Sequence, residues 1–204
     1  MRIVTTPMCE PILKWAGVSE YMVNKNPDEE EADLAIVLSE TNTRMKSIKI
    51  KLNTFFQIRK SVERLQNMIE VENSSNFSEK RDLNIKNSKN NHLNNLNFKN
   101  QFMGRDSKWL DNDYRIKARK LNGKIKVTVY SNFLKDIVED MGYSIVYEKP
   151  DFVVYPDYLE SVLETKSEGN NLIKVPSHEN ASLNPVKRAH FRYNLLEKKL
   201  CMKP

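Results

Sequence analysis

The chain contains the same small unit twice, its two copies about 125 residues apart. The first occupies residues 2–40, with IVTTPMCEPILKWAG, then SEYMVNK, then ADLAIVLSE; the second occupies 126–158, with VTVYSNFLKDIVEDMG, YSIVYEK and PDFVVYPDY. Setting Thr6 on Ser131 places Ile12 on Ile137, Leu13 on Val138 and Gly17 on Gly142 without a gap. After one insertion in the first copy, Asp33-Leu34 falls on Asp151-Phe152. Each copy is an apolar β-type run, a short helical stretch closed by Gly, a Tyr-containing run and a second apolar run led by Asp. Self-similarity of this kind is a signal of architecture.

Strand–helix–strand units imply parallel pairing with right-handed crossovers. The expected fold class is therefore α/β: two small Rossmann-like strand–helix–strand units related by an internal repeat and bridged by a long amphipathic helix. The division expected is a first α/β unit over 1–40, the helix over 41–70, an insertion over 71–105, a second unit over 106–175, and a C-terminal loop and helix over 176–204.

The helix is read from Met45, Ile48, Leu52, Phe55, Ile58, Val62, Leu65 and Ile69, which recur at steps of three and four from Thr41 onward. Its other face carries Arg44, Lys49, Lys51, Arg59, Lys60 and Arg64, a basic stripe suited to docking on a partner. Residues 72–101 are of another kind. Ten of these thirty positions are Asn, none is Gly or Pro, and the apolar residues stand alone. Such a stretch cannot bury enough surface to offset its ordering entropy, so a mobile insertion is expected.

In the second copy, Asn132 is the expected N-cap of a helix over 133–141 that Gly142 ends. Residues 158–165 read as a short helix, 172–175 as an edge strand, and Asn184-Pro185 as the opening of a terminal helix.

Charge and composition narrow the classes of function. The net charge of +6 comes from 33 basic and 27 acidic side chains, mostly interspersed, so an acidic partner is permitted but not demanded. No run approaches the roughly 18 apolar residues of a membrane span. The chain enters a strand-like RIVTT directly, and Cys9 and Cys201 fit neither a metal motif nor a disulfide framework. A reduced, cytoplasmic setting follows as the economical expectation. No catalytic triad, paired acids or zinc spacing emerges, which favours a non-enzyme. Nucleic acid is disfavoured, because no reading motif is present and the acidic run 28–31 would repel a duplex.

Ligands of open α/β sheets collect at the carboxyl ends of strands. That rule selects two homologous turns: the first with Thr5, Thr6 and Cys9, the second with Ser131 and Asn132. Later strand ends add Glu40 and Asp157 as carboxylates. These hydroxyls and carboxylates form the candidate ligand-binding set, with helix capping as the alternative use of Thr6, Ser131 and Asn132. Cys9 in the first turn of a helix has the position of a thiol with lowered pKa, or that of an ordinary buried Cys. It aligns with Leu134, so a symmetric two-cysteine metal clamp is excluded. Neither turn has the glycines of a phosphate loop.

The segment VTTPMCEPILKWAGV followed by ADLAIVLSE resembles an uncharacterised methanogenesis-marker protein family that accompanies methyl-coenzyme M reductase in methanogenic archaea. The resemblance implies a cytoplasmic, non-catalytic accessory protein in assembly, modification or activation of that reductase. The implied partner is a larger complex, the reductase itself or its activation components, and no cofactor is implied. The doubled architecture is also similar to two-lobed metal-chelate binding proteins and nitrogenase-like subunits. That likeness is one of fold alone; the alternative, read from the paired turns, is a protein binding a small molecule, a tetrapyrrole or a metal cofactor at the turns after the first strand of each repeat. Nucleic-acid binding through the basic helices is a further alternative.

Overall fold

The computed structural model describes residues 1–75, 108–163, 171–177 and 181–200. The chain divides into two compact units, Met1–Arg105 with Leu183–Pro185, and Asp106–Ser182 with Val186–Pro204.

Unit 1 is built from β1 (Ile3–Thr5), α1 (Glu10–Ala16), β2 (Met22–Val23), a 3-10 turn at Pro27–Glu29, β3 (Leu34–Leu38), β4 (Ser47–Ile50) and α2 (Phe55–Ser75). Its four strands pair in the order β2-β1-β3-β4, all parallel. Leu34, Ala35, Ile36 and Val37 are all buried, as a central strand covered on both faces requires. Gly17 ends α1 at φ 84°, a left-handed conformation that spares only glycine the Cβ penalty. Helix α2 packs on α1 and buries Phe55, Ile58, Val62 and Leu65.

The helix expected from Thr41 to Ile69 is a strand followed by a helix. Ser47-Ile48-Lys49-Ile50 alternates polar with apolar and completes the sheet against Ala35–Leu38. Helix α2 starts only at Phe55, where a reciprocal capping box fixes it. The Thr54 Oγ1 accepts from Gln57 N at 3.1 Å, while Gln57 Oε1 accepts from Asn53 N at 3.1 Å and Thr54 N at 3.3 Å. The connection from β3 to β4 is short and is clasped by the acidic run: Asp28 accepts from Thr43 Oγ1 at 2.5 Å and from Arg44 N at 3.1 Å. The Asn-rich insertion expected over 72–101 lies, beyond Ser75, outside the described residues.

Unit 2 opens with a 3-10 turn at Lys108–Leu110 and α3 (Asn112–Asn122), then β5 (Lys126–Val129), α4 (Asn132–Met141), β6 (Ser144–Ile145) and β7 (Phe152–Pro156). A 3-10 turn at Asp157–Leu159, α5 (Glu160–Leu163), β8 (Asn171–Val175) and α6 (Pro185–Leu200) complete it. The strand order β6-β5-β7-β8 repeats that of unit 1, again all parallel.

The repeat is visible atom by atom. In unit 1 Asp33 Oδ2 accepts from Arg2 N at 2.6 Å and Asp33 N donates to Arg2 O at 2.9 Å. In unit 2 Asp151 Oδ2 accepts from Lys126 N at 2.7 Å and Asp151 N donates to Lys126 O at 2.8 Å. These pairs put Arg2 on Lys126, whereas the helix-ending glycines put Gly17 on Gly142. Between strand and glycine, unit 2 therefore carries one residue more.

The core of unit 2 gathers on Trp109, 5.3 Å from the rings of both Tyr114 and Tyr193 in edge-on geometry. Around it, Tyr193 Oη donates to Asp140 Oδ2 at 2.5 Å and Arg115 Nη2 to Asp140 Oδ1 at 2.7 Å. Tyr114 Oη donates to Glu197, which Lys108 also meets at 2.7 Å. Helices α3, α4 and α6 are thus tied together by partly buried carboxylates with partners. Among the described residues no helix is long and apolar enough to cross a membrane.

Candidate functional site

Strand order locates the candidate site in each unit. From β1 the chain passes first to β2 on one side and then to β3 on the other, so the order reverses between β1 and β3. A crevice at the carboxyl ends of such a pair is the general ligand position of open α/β sheets. In unit 1 it is bounded by residues 6–9 and 39–42, and in unit 2 by 130–132 and 157–158.

In unit 1, Thr5 is consumed by the fold: its buried Oγ1 donates to Ile36 O at 2.8 Å, locking β1 to β3. Thr6 differs. Its carbonyl accepts from Cys9 N at 2.9 Å and Glu10 N at 3.1 Å, which starts α1. Its Oγ1 is buried with no hydrogen-bond partner among the described residues. Cys9 occupies the N-cap position without a side-chain cap bond, and its thiol is fully buried in reduced form. Glu40 is exposed at the end of β3 and accepts from Ser39 Oγ at 2.6 Å.

In unit 2 the equivalent hydroxyl is used. Ser131 is extended, at φ −158° and ψ 153°, and its Oγ accepts from Leu134 N at 3.4 Å. It, not Asn132, is the N-cap; Asn132 is the first helical residue and is exposed. Asp157 Oδ1 accepts from Ser177 Oγ at 2.5 Å, Ser177 N at 3.1 Å and Tyr158 N at 3.1 Å. Partial burial works to raise its pKa, but these donors outweigh it and hold the carboxyl below its usual range. Three exposed tyrosines follow the carboxyl ends of neighbouring strands: Tyr130 after β5, Tyr147 after β6 and Tyr158 after β7.

Thus Thr6 and Cys9 share one turn of unit 1, while Ser131, Asn132 and Asp157 lie at the ends of paired strands in unit 2. The residues expected as one basic helical stripe are dispersed. Arg44 precedes β4, Lys49 lies on it and Lys51 follows it, whereas Arg59, Lys60 and Arg64 are on α2. Arg59 and Lys60 flank the exposed Phe56 ring at 5.7 and 5.4 Å, and Arg64 Nη1 donates to Lys49 O at 3.2 Å.

Two residues that the sequence did not single out, Arg188 and Arg192, lie on the terminal helix α6. Both arginines are buried. The signal was present: they begin a row at four-residue steps that continues through the buried Leu196 and Leu200.

A protein-bound metal ion requires several convergent donors. Among the described residues, no three His, Cys, Asp or Glu side chains gather to hold one. His92, His178 and Cys201 lie outside the described residues. The described side chains therefore bring together no set that would hold a bare ion.

No family model matches the chain, and no curated protein matches it. Its fold is similar to that of a metal-free mutant of a periplasmic metal binding protein from Candidatus Liberibacter asiaticus, with TM-score 0.55, 8% identity, and coverage of 98% of this chain and 100% of that one. It is similarly related to a mutant of Zn(II)-bound AdcAII from Streptococcus pneumoniae, with TM-score 0.54, 9% identity and coverage of 98% of each chain. A second AdcAII mutant gives TM-score 0.52 at 10% identity over 98% of this chain and 99% of the other.

These findings correct the resemblance to a methanogenesis-marker family. No family model carries it, and the solved structures sharing the fold over nearly the whole chain are named for metal binding. The archaeal accessory role goes with it, as do methyl-coenzyme M reductase and its activation components as partners. The cytoplasmic setting loses its basis as well, since the Liberibacter protein is periplasmic.

Proposed function

We propose that this chain is a non-catalytic binding protein for a small metal complex, a tetrapyrrole or a comparable chelate, with the switch-point turn of each unit, taken by itself, as a contact point. The observation that carries the reading is Thr6 Oγ1. It is a buried hydroxyl without a partner at the point where ligands of such sheets are held. Leaving a hydroxyl so costs about 1–3 kcal/mol, a deficit that a ligand acceptor removes.

Further observations support the ligand class. The proteins sharing the fold are named for metal binding, in zinc-bound and metal-free forms. The described residues gather no ligand set for a bare ion, and a complex brings its own donors. The exposed Tyr130, Tyr147 and Tyr158, all following strand ends of one sheet, offer π-faces to a planar ligand. The absence of a triad or acid pair from the sequence fits a binder more than a catalyst.

The test is thermal unfolding with a water-soluble zinc porphyrin, an iron–citrate complex and zinc chloride. A complex at a hundredfold excess over its Kd adds about 2.7 kcal/mol, which raises Tm by roughly 5 °C or more. Stabilisation by zinc chloride alone, with no effect of either complex, would refute the ligand class.

A further inference from the structure

Helix α3 stands outside the repeated strand–helix–strand pattern, ahead of β5, and buries none of its residues. Polar ties hold it in place. Asn122 Nδ2 donates to Met141 O at 2.8 Å, Arg115 Nη2 to Asp140 Oδ1 at 2.7 Å, and Tyr114 Oη to Glu197. These three half-buried residues, together with Ala118, mark the side of the helix turned toward the rest of unit 2.

The opposite side faces solvent. Ile116 with Lys120, and Lys117 with Leu121, are neighbours one turn apart, and the four form one contiguous exposed patch. Ile116 and Leu121 are each 67% exposed, the most exposed large aliphatic side chains among the described residues. From Ile116 to Lys126 the chain carries Lys117, Arg119, Lys120, Lys124 and Lys126 and no acid. All five cations are exposed, and among the described residues none of them forms an ion pair. Asp113, one turn before Lys117, borders the patch on the same helix, and Glu139 on α4 already meets Lys135 at 3.8 Å.

Cations in the last turn complement the helix dipole, which accounts for Arg119 and Lys120. It does not account for two aliphatic side chains held out in water between them. That combination matches an anionic lipid surface. Lysine stems lie along apolar surface while their ammonium groups reach phosphates, and aliphatic side chains enter the boundary between headgroups and acyl chains. Nucleic acid would use the cations and leave Ile116 and Leu121 idle. The centre of a protein interface favours aromatic residues and Arg and is depleted in Lys, the reverse of this patch.

We propose that the exposed face of α3 docks on a membrane surface that carries anionic lipid headgroups. Docking is peripheral: the helix lies along the surface and stays attached to unit 2 by its polar ties. It does not depend on the metal-complex reading, since none of its residues belongs to the switch-point turns.

Co-sedimentation of the whole chain with phosphatidylcholine vesicles containing about 30 mol % phosphatidylglycerol, beside vesicles of phosphatidylcholine alone, tests it at low and at high salt. Binding to the anionic vesicles that weakens with salt is expected, with none to the neutral ones. Lys117→Gln together with Lys120→Gln weakens it about tenfold or more, and Ile116→Gln together with Leu121→Gln weakens it several-fold. Glutamine is a good helix former, so both variants keep the wild-type Tm. Equal binding to neutral vesicles, or none to either kind, overturns the proposal. So does binding that survives both pairs of substitutions. Binding that falls with the lysine pair alone also overturns it, and assigns the patch to a polyanion such as nucleic acid.

Discussion

Thr6 and Ser131 hold equivalent places before the first helix of each unit, yet only Ser131 caps with its hydroxyl. Ser131 Oγ accepts the Leu134 amide at 3.4 Å, whereas Thr6 Oγ1 is buried without a partner and the Cys9 amide turns to the Thr6 carbonyl at 2.9 Å. Duplication has left one turn satisfied and the other not.

Opposite effects of removing the two hydroxyls follow. Thr6→Val deletes an unpaired buried polar atom at constant shape, and should stabilise the ligand-free protein by about 1 kcal/mol. Ser131→Ala removes a cap and should cost about 1 kcal/mol. Urea midpoints of the two variants check both signs; a destabilised valine variant would mean that the hydroxyl has a partner after all.

Gly142 should tolerate no side chain. Its φ is +85°, and a Cβ there would lie 2.6 Å from Arg119 Cα and Cβ on α3. Gly142→Ala combines a left-handed penalty with overpacking, and a loss of about 2 kcal/mol or more is expected in chemical denaturation.

Tyr193 should resist titration for as long as unit 2 stays folded. Burial, followed by the charge and hydrogen bond of Asp140, pushes its phenol far above the ordinary value. Ultraviolet titration of tyrosinate should therefore lag by one group until alkaline unfolding. Tyr193→Phe should cost about 1.5–3 kcal/mol, since the partly buried Asp140 loses a charge-assisted donor.

Acid should loosen unit 1 at the β3–β4 connection. The Thr43 hydroxyl, and then the Arg44 amide, hold the Asp28 carboxyl below its usual pKa. A carboxyl whose folded pKa is depressed contributes stability above its unfolded pKa and loses it as pH falls through the folded one. Amide exchange of residues 43–45 should accelerate below the ordinary carboxylate range, and Asp28→Asn should flatten that dependence.

Much of this architecture was legible from local chemistry. The β-branched Ile3–Thr5 and the apolar Leu34–Leu38 announced strands, and Gly17 and Gly142 marked helix ends that are indeed left-handed. Strand β4 was not legible from periodicity, because Ile48 and Leu52 satisfy a helical step while also lying on and beside a strand. The TFFQ box at Thr54–Gln57 was the overlooked boundary. The site was only partly readable: spacing could select the turns, but whether Thr6 capped its helix depended on the path taken by Pro7 to Cys9. The buried arginines Arg188 and Arg192 were not singled out, because a charged side chain is ordinarily exposed and only their four-residue spacing to Leu196 and Leu200 marks them as core-facing.

The central claim is ligand binding at the switch-point turns, and thermal unfolding of wild type beside Thr6→Val, with and without the zinc porphyrin, tests it most directly. The account predicts a saturable rise in Tm for the wild type, of roughly 5 °C or more at high excess, and a much smaller rise for a valine variant that is itself more stable unliganded. Equal shifts in the two proteins, or none in either, would contradict it.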